Sequence, residues 1–419
     1  MTKRRRWLPA AGFLLPAAVV LLVLVVYPIV ATIVFSFMDR TGSASVGLDN
    51  YREMLTNPRI LTAIRNTVIW VVVVPVLVTT IGLVFAVVTE RVTFGRAFRT
   101  IVFMPMAISL VAGGVIWRVT YEQDPDRGVL NAAVRAATSV VRGPGIYAGA
   151  APSDGSRLVA GEIVYERHRR RGEFAPIGLL RLPSDRIPAS ARGVAIRTSS
   201  HGVSGVVFRD FTPGREGHRG RPDPGETGLP GVHVEIRDGR DVVVRTETDA
   251  RGGFTAVVPE GSYTVALPAS NFRPAFGGID WLGPTLVTPA IIAAYTWMWA
   301  GFAMVVIAAG LAAIPREVLE AARVDGASEW QTFRLVTAPL LAPVLGVVAL
   351  TMVIYVLKIF DIVLVIAPSN VQDDANVIAL EMWQTAFGAR NLGLGSAVAV
   401  LLLVLVIPVM TLNVRRLRT

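Results

Sequence analysis

The sequence predicts an all-α polytopic membrane protein with an extracytoplasmic β-sandwich domain inserted between its third and fourth spans. Three observations carry this expectation. Six apolar stretches each reach about twenty residues, the length needed to cross a bilayer. Arginines gather at alternate ends of those stretches, as the positive-inside rule asks. Between residues 131 and 280 the long apolar runs stop, and Gly, Pro, Arg and Ser dominate.

Composition agrees and excludes several functions. The chain has 419 residues, 53% hydrophobic and 17% charged, which suits membrane spans carrying one soluble portion. Cysteine is absent, so no disulfide, thiolate nucleophile or Cys-ligated metal is possible. The histidines, His168, His201, His218 and His233, show no metal spacing. A net charge of +10 raises the question of nucleic acid, but the arginines fall at membrane ends and in one soluble segment. They read as topology and solvated surface, so no nucleic-acid partner is expected. Lysine occurs only at Lys3 and Lys358, neither after a glycine-rich run. A P-loop is therefore excluded, and any ATP used binds another subunit. No carboxylate pair, Ser-Lys dyad or His cluster stands at catalytic spacing inside the spans, so neither an enzyme nor a cofactor is expected.

Taken in order, Lys3 to Arg6 precede an apolar run over 8–37, too long for a signal peptide and read as an uncleaved first span. The other spans are expected at 68–88, 101–119, 286–311, 340–366 and 394–412. Positive charges at Lys3–Arg6, at Arg91, Arg96 and Arg99, at Arg316, Arg323 and Arg334, and at Arg415, Arg416 and Arg418 put those four regions inside. Both termini are then cytoplasmic. The domains are 1–130, 131–280 and 281–419.

The polar stretch 315–339 lies between two long apolar runs. Pro315 suits a helix start, Glu317 and Glu320 its positive end, and Gly326 its termination. Ser328 and Gln331 have capping-box spacing for a second short helix carrying Trp330, Phe333 and Val336, and Pro339 then restarts the chain toward the bilayer. With Val318, Leu319 and Ala322 on one side, the pair of helices forms a knob suited to another protein's groove. In the fifth span, Tyr355, Lys358 and Asp361 stand at three-residue steps near one helix face. They either neutralise one another, Lys against Asp, or line a polar cavity with the aromatics of the fourth span, Tyr295, Trp297 and Trp299.

The sequence Glu320-Ala321-Ala322, three residues, Gly326, nine residues, Val336-Thr337-Ala338-Pro339 resembles the EAA loop of permease subunits of binding-protein-dependent ABC importers. Val336 and Ala338 stand where that pattern has Ile and Leu. Gly47-Leu48-Asp49-Asn50-Tyr51, Asn66-Thr67, Gly128-Val129-Leu130-Asn131 and Trp281-Leu282 resemble further landmarks of its sugar-type members. Lys358 to Asp361 and Gln372 to Asn376 are similar to stretches of α-glucoside and maltose-type importers. The resemblance implies a type I importer permease fold in a bacterial cell membrane. It also implies a sugar substrate, a second permease, two ATP-binding subunits and an extracytoplasmic solute-binding protein.

The ATPase-coupling residues it implies are Glu320, Ala321, Ala322, Asp325, Gly326 and Pro339. For the substrate path it implies Gly301, Met304 and Tyr355, to which the polarity of the spans adds Trp299, Lys358 and Asp361. Within the insert, 228–268 alternates apolar strands with Asp-Gly and Pro-Glu-Gly turns and is similar to prealbumin-like or carboxypeptidase-regulatory-like sandwiches. Residues 142–225 have short strand-like runs and no assignable fold. The insert reads as a docking surface or as a spacer. The competing function is a membrane-anchored adhesion or scaffold protein displaying the sandwich.

Overall fold

The computed structural model describes residues 4–91, 95–139, 143–211 and 217–416. Lys3, Arg142 and Arg418, used above as charges or boundaries, lie outside them. The chain forms two compact units, Met1–Glu122 with Asp280–Thr419, and Gln123–Ile279.

Among the described residues of the first unit, four helical stretches are long and apolar enough to cross a membrane singly: Phe13–Phe35, Pro58–Glu90, Val287–Ala312 and Glu329–Leu357. Leu392–Pro408 is a shorter apolar stretch within the helix Leu392–Arg416. Val287–Ala312 is apolar all round, and such a helix is stable only when packed on most sides. Small residues permit that packing. A Cβ at Gly82 would stand 2.5 Å from the Cβ of Ala303, and one at Gly301 would stand 2.3 Å from the Val102 carbonyl oxygen.

Two expected spans are not single helices. The stretch expected at 101–119 is a pair, Ala97–Ala107 and Leu110–Thr120, bent by 102°. Pro105 sits in a 3-10 turn, Ile108 is extended, and the Ser109 side chain accepts from the Ala112 N–H to start a new helix. The stretch expected at 340–366 stops at Leu357 and restarts as a short helix, Asp361–Ile366. Lys358 and Phe360 leave helical geometry, at φ −104°, ψ 12° and φ −144°, ψ −60°. Tyr355, Lys358 and Asp361 therefore do not share one helix face.

Among the described residues the second unit has a helix, Val129–Ser139, and eleven strands: β1 (Ala151–Pro152), β2 (Ser156–Val159), β3 (Glu162–Tyr165), β4 (Arg169–Arg170), β5 (Phe174–Leu180), β6 (Gly202–Arg209), β7 (Thr227–Gly228), β8 (His233–Asp238), β9 (Asp241–Glu247), β10 (Gly253–Val257) and β11 (Ser262–Leu267). One sheet has the order β1-β5-β6-β10, with β7 also on β6, and the other β2-β3-β11-β8-β9, with β4 also on β11. β5 and β6 pair in parallel and all other neighbours are antiparallel. Gly239, at φ +59°, turns β8 into β9, a conformation that favours glycine.

Residues 228–268 do not close on themselves. β10 pairs with β6, and β11 with β3, so the segment without an assignable fold supplies three of the five strands of one sheet and three of the six of the other. Ile177, Val203 and Val207 from one sheet share a core with Ile163, Val234, Ile236 and Val265 from the other. Each fully buried Ile or Val there contributes about 1.5–3 kcal/mol before chain entropy is set against it.

The two ends of this unit are clasped by one side chain. Asn131 donates to the carbonyls of Gln123 and Ile279 at 3.1 and 2.9 Å and accepts from the Ile279 N–H at 2.8 Å. A single amide thus bonds the segments by which the chain enters and leaves the unit.

Candidate functional site

The stretch 315–337 is two short helices around a sharp bend. Pro315, at φ −58° and ψ 135°, starts Arg316–Val324, with Glu317 in the first turn and Arg323 in the last, matching the helix dipole. The helix ends in a Schellman motif. Ala327 N–H donates to the Ala322 carbonyl and Gly326 N–H to that of Arg323, both at 3.0 Å, with Gly326 at φ +80°. No atom lies within 4 Å of a Cβ built there, so the requirement for glycine is conformational and not steric.

Ser328 begins the second helix through a complete capping box. Its hydroxyl accepts from the Gln331 N–H at 3.3 Å, and its own N–H donates to the Gln331 carboxamide oxygen at 2.8 Å. Arg323 and Glu329 form an ion pair across the bend at 3.1 Å. The Trp330 and Phe333 rings stack with centroids 5.7 Å apart. The structure brings Glu320, Ala321, Ala322, Asp325 and Gly326 together on and just after the first of these helices.

Pro339 does not restart the chain. Glu329–Thr332, a π-turn over Phe333–Thr337 and Ala338–Leu357 run on as one helix. The π-turn has the Ala338 N–H donate to the Phe333 carbonyl, and this widened turn accommodates a proline that has no N–H to give. Trp330 and Tyr355 thus lie on one uninterrupted helical stretch.

The surface of this stretch is apolar in patches. Val324, Leu335 and Trp330 are 86%, 69% and 66% exposed. That much apolar side chain without cover marks a contact surface.

Across the bundle, aromatic rings form a ladder. Trp70 meets Tyr295 edge-on at 5.5 Å, Tyr295 lies 5.9 Å from Trp299, and Trp299 lies 4.8 Å from Tyr355 at an interplanar angle of 31°. Among the described residues, Trp70 Nε1, Trp299 Nε1 and Thr296 Oγ1 are buried without a hydrogen-bond partner. Trp70 and Tyr295 are fully buried, so they back the ladder, and only half-buried Trp299 and exposed Tyr355 present ring surface beyond the protein interior.

Of the path residues expected from the sequence, Trp299 and Tyr355 meet. Gly301 and Met304 are buried, Gly301 where Val102 approaches. Lys358 and Asp361 are exposed, and among the described residues they form no ion pair with each other. Trp70 was not singled out by the sequence. Its signal was a lone indole in a run of Val and Ile, which reads as lipid-facing until its neighbours are known.

Several landmark motifs converge on a polar rim at the other end of these helices. Asn66 donates to the carbonyls of Asp374 and Asn376 at 2.7 and 2.9 Å, and Thr67 Oγ1 accepts from the Ile378 N–H at 3.0 Å. The buried Glu381 carboxylate takes Arg59 Nε at 2.9 Å, the Thr385 hydroxyl at 2.9 Å and the Asn376 amide. Asn50 donates to the carbonyls of Ser36 and Met38 at 3.0 and 2.7 Å.

A bundle of bent and broken membrane helices, a bent helical loop with an uncovered apolar surface and an inserted sheet unit define a membrane permease of the importer type. Residues 254–417 match the family described as binding-protein-dependent transport system inner membrane component, and the chain belongs to that family. It is thus a membrane transport component and not an enzyme.

The chain is 28% identical over 408 residues, 96% of its length and 97% of the relative's, to the osmoprotective compounds uptake permease protein GgtC of Synechocystis sp.. It is 29% identical over 413 residues, 98% of its length and 82% of the relative's, to the alpha-glucoside transport system permease protein AglF of Rhizobium meliloti. Among solved structures it is similar in fold to a chain of a bacterial ABC transporter involved in the import of alginate, with a TM-score of 0.58 at 15% identity, covering 99% of this chain and 96% of that one.

Proposed function

We propose that this chain is the transmembrane permease subunit of an ATP-driven sugar importer, with α-glucosides or maltose-like oligosaccharides as its solute class. The observation that carries the reading is the match to an alpha-glucoside permease over 98% of the chain, insert included. The partners are a second permease, two ATP-binding subunits and an extracytoplasmic solute-binding protein.

In this reading the bundle crosses the membrane six times, the bent pair at 97–120 and the helix from Leu392 each counting as one span. Both termini and the loop 315–339 face the cytoplasm. Glu320, Ala321, Ala322, Asp325 and Gly326 seat the loop on an ATP-binding subunit, and Pro339 lies where the loop passes into the bilayer. The continuous helix through Pro339 carries nucleotide-driven motion from Trp330 to Tyr355. A sugar needs aromatic faces for its CH surfaces and donors or acceptors for its hydroxyls, and Trp299 and Tyr355, backed by the buried Trp70 and Tyr295, supply the accessible end of the ladder. Trp299 and Tyr355 are the contact residues. Gly301 and Met304 set the helix approach behind them, and Lys358 and Asp361 lie beyond the helix break. The inserted sheets act as a β-sandwich that docks the binding protein.

The test is stimulation of ATP hydrolysis in the reconstituted complex by its binding protein loaded with a panel of sugars and osmoprotective compounds. Stimulation by α-glucosides is the expected result. Stimulation only by non-carbohydrate solutes would overturn the sugar assignment while leaving the permease role intact.

A further inference from the structure

The geometry points to a binding site for a phosphatidylethanolamine molecule in a groove on the membrane unit, distinct from the aromatic ladder. The groove has a volume of about 440 Å³, within the range of roughly 300–1,000 Å³ usual for small-ligand sites. Its lining divides by chemistry. Arg65 and Asp374 stand at one end, while Ile69, Val73 and Leu77 on the helix Pro58–Arg91 and Ile292 on Val287–Ala312 form the apolar remainder.

The spacing explains the shape. Residues 65, 69, 73 and 77 recur every four positions, so they make one stripe along a helix, about 18 Å long at 1.5 Å per residue. A charged head and an apolar stripe of that length match a lipid headgroup with an acyl chain laid along the helix. The charges narrow the choice. Arg65 and Asp374 are both exposed, and among the described residues neither side chain has an ion pair. Arg65 reaches only the Asn66 side-chain oxygen at 3.4 Å, and Asn66 is bound to the Asp374 backbone. Two opposite, unpaired charges held on one rim suit a phosphate on Arg65 and a primary ammonium on Asp374. Phosphatidylglycerol offers the same phosphate but a neutral glycerol, whose hydroxyls can donate to Asp374 without bringing the opposite charge. Phosphatidylcholine carries an ammonium without an N–H to donate.

The site rests on the membrane location of the chain and not on the sugar assignment. Its occupant would brace the outer segment 372–376 against the helix 58–91, because Arg65, Asn66 and Asp374 already meet there.

The experiment uses the whole complex in bilayers of phosphatidylcholine containing a phosphatidylethanolamine with a photoactivatable group on its acyl chain. The crosslinked residues are then mapped by peptide mass spectrometry. Labelling is expected to concentrate at 69–77 and 284–293. It should fall about fivefold in Arg65→Gln, the weight of one phosphate–arginine contact, and fall again in Val73→Phe, which fills the groove. Unlabelled phosphatidylethanolamine should compete better than phosphatidylglycerol. Labelling spread evenly over the lipid-facing helices, labelling unchanged in Arg65→Gln, or equal competition by phosphatidylglycerol would overturn the assignment. So would displacement by maltose-type sugar, which would make the groove a solute site, or labelling absent until the second permease is removed, which would make it a helix interface.

Discussion

Two ends of the same helices contrast. At the rim formed by residues 36–67 and 372–395, polar side chains find partners within the chain: the buried Glu381 carboxylate has Arg59, Asn376 and Thr385, and Asn66 caps two carbonyls. At the loop 315–337 the backbone is equally well ordered by its Schellman motif and capping box, yet Val324, Trp330 and Leu335 are left largely uncovered. The rim is complete within one chain, whereas the loop is a shaped surface that lacks its counterpart. In the proposed reading, the rim holds the outer end of the bundle together and the loop's open apolar face receives the ATP-binding subunit.

The largest effect expected is at the bend. Gly326→Asp costs about 1 kcal/mol or more in backbone strain, small for folding, but it re-aims the second helix and so should abolish transport. Glu320→Lys should act similarly. In both variants the protein inserts normally and the ATP-binding subunits bind loosely, which pull-down from membranes measures.

Next is the rim. Glu381→Gln removes the buried partner of Arg59, which is 41% exposed and keeps Asp373 at 3.3 Å, so it should destabilise the membrane unit by about 1 kcal/mol, read as a lowered melting temperature with ATP-subunit attachment preserved. If attachment failed as well, the two ends would not be separable. Trp299→Ala should reduce solute-stimulated ATP hydrolysis roughly tenfold, equivalent to about 1.4 kcal/mol, with basal hydrolysis unchanged. Ser328→Ala, which loses the cap, should cost about 1 kcal/mol and lower coupling only partly.

The smallest effect concerns the inserted sheets. Burial pushes the Glu235 pKa up, but hydrogen bonds and charge from Arg237 and Arg245 outweigh it, and the net shift is downward. Arg237 also holds Glu162 at 2.7 Å, so the cluster ties β3 to β8 and β9. A depressed carboxyl pKa gives stability that is fully present above its unfolded value, near 4.5, and is lost as pH falls through the lower folded value. Amide exchange in β8 and β9 should therefore accelerate below that pH in the wild type and already be fast at neutral pH in Glu235→Gln.

The loop was the most legible part of the sequence, because caps are local. Pro315, Gly326, Ser328 and Gln331 act within a few residues of themselves. The membrane helices were legible as apolar lengths but not as shapes. The bend after Pro105 depends on where a missing N–H is compensated, and the break at Lys358 has no proline to mark it, so hydropathy records neither. At Pro339 the same missing N–H is absorbed by a π-turn, so one residue type gave opposite outcomes. The inserted sheets were legible as turns and alternation in 228–268 and as short strand-like runs before it, but not as pairings. Their partners, β3 and β6, lie far away in sequence, and long-range pairing leaves no local mark. The ladder was half visible: Trp299 and Tyr355 stood out as polar-tipped aromatics, whereas Trp70 gained meaning only from its contact with Tyr295.

The central claim is that the loop's open face is the seat of the ATP-binding subunit. A photo-crosslinking amino acid placed singly at Val324, Trp330 or Leu335 of the chain in its native membrane tests it directly. The account predicts crosslinks to a nucleotide-binding subunit from these positions and none from Val243 on the inserted sheets. Crosslinks from the loop only to lipid or to an extracytoplasmic protein would contradict it.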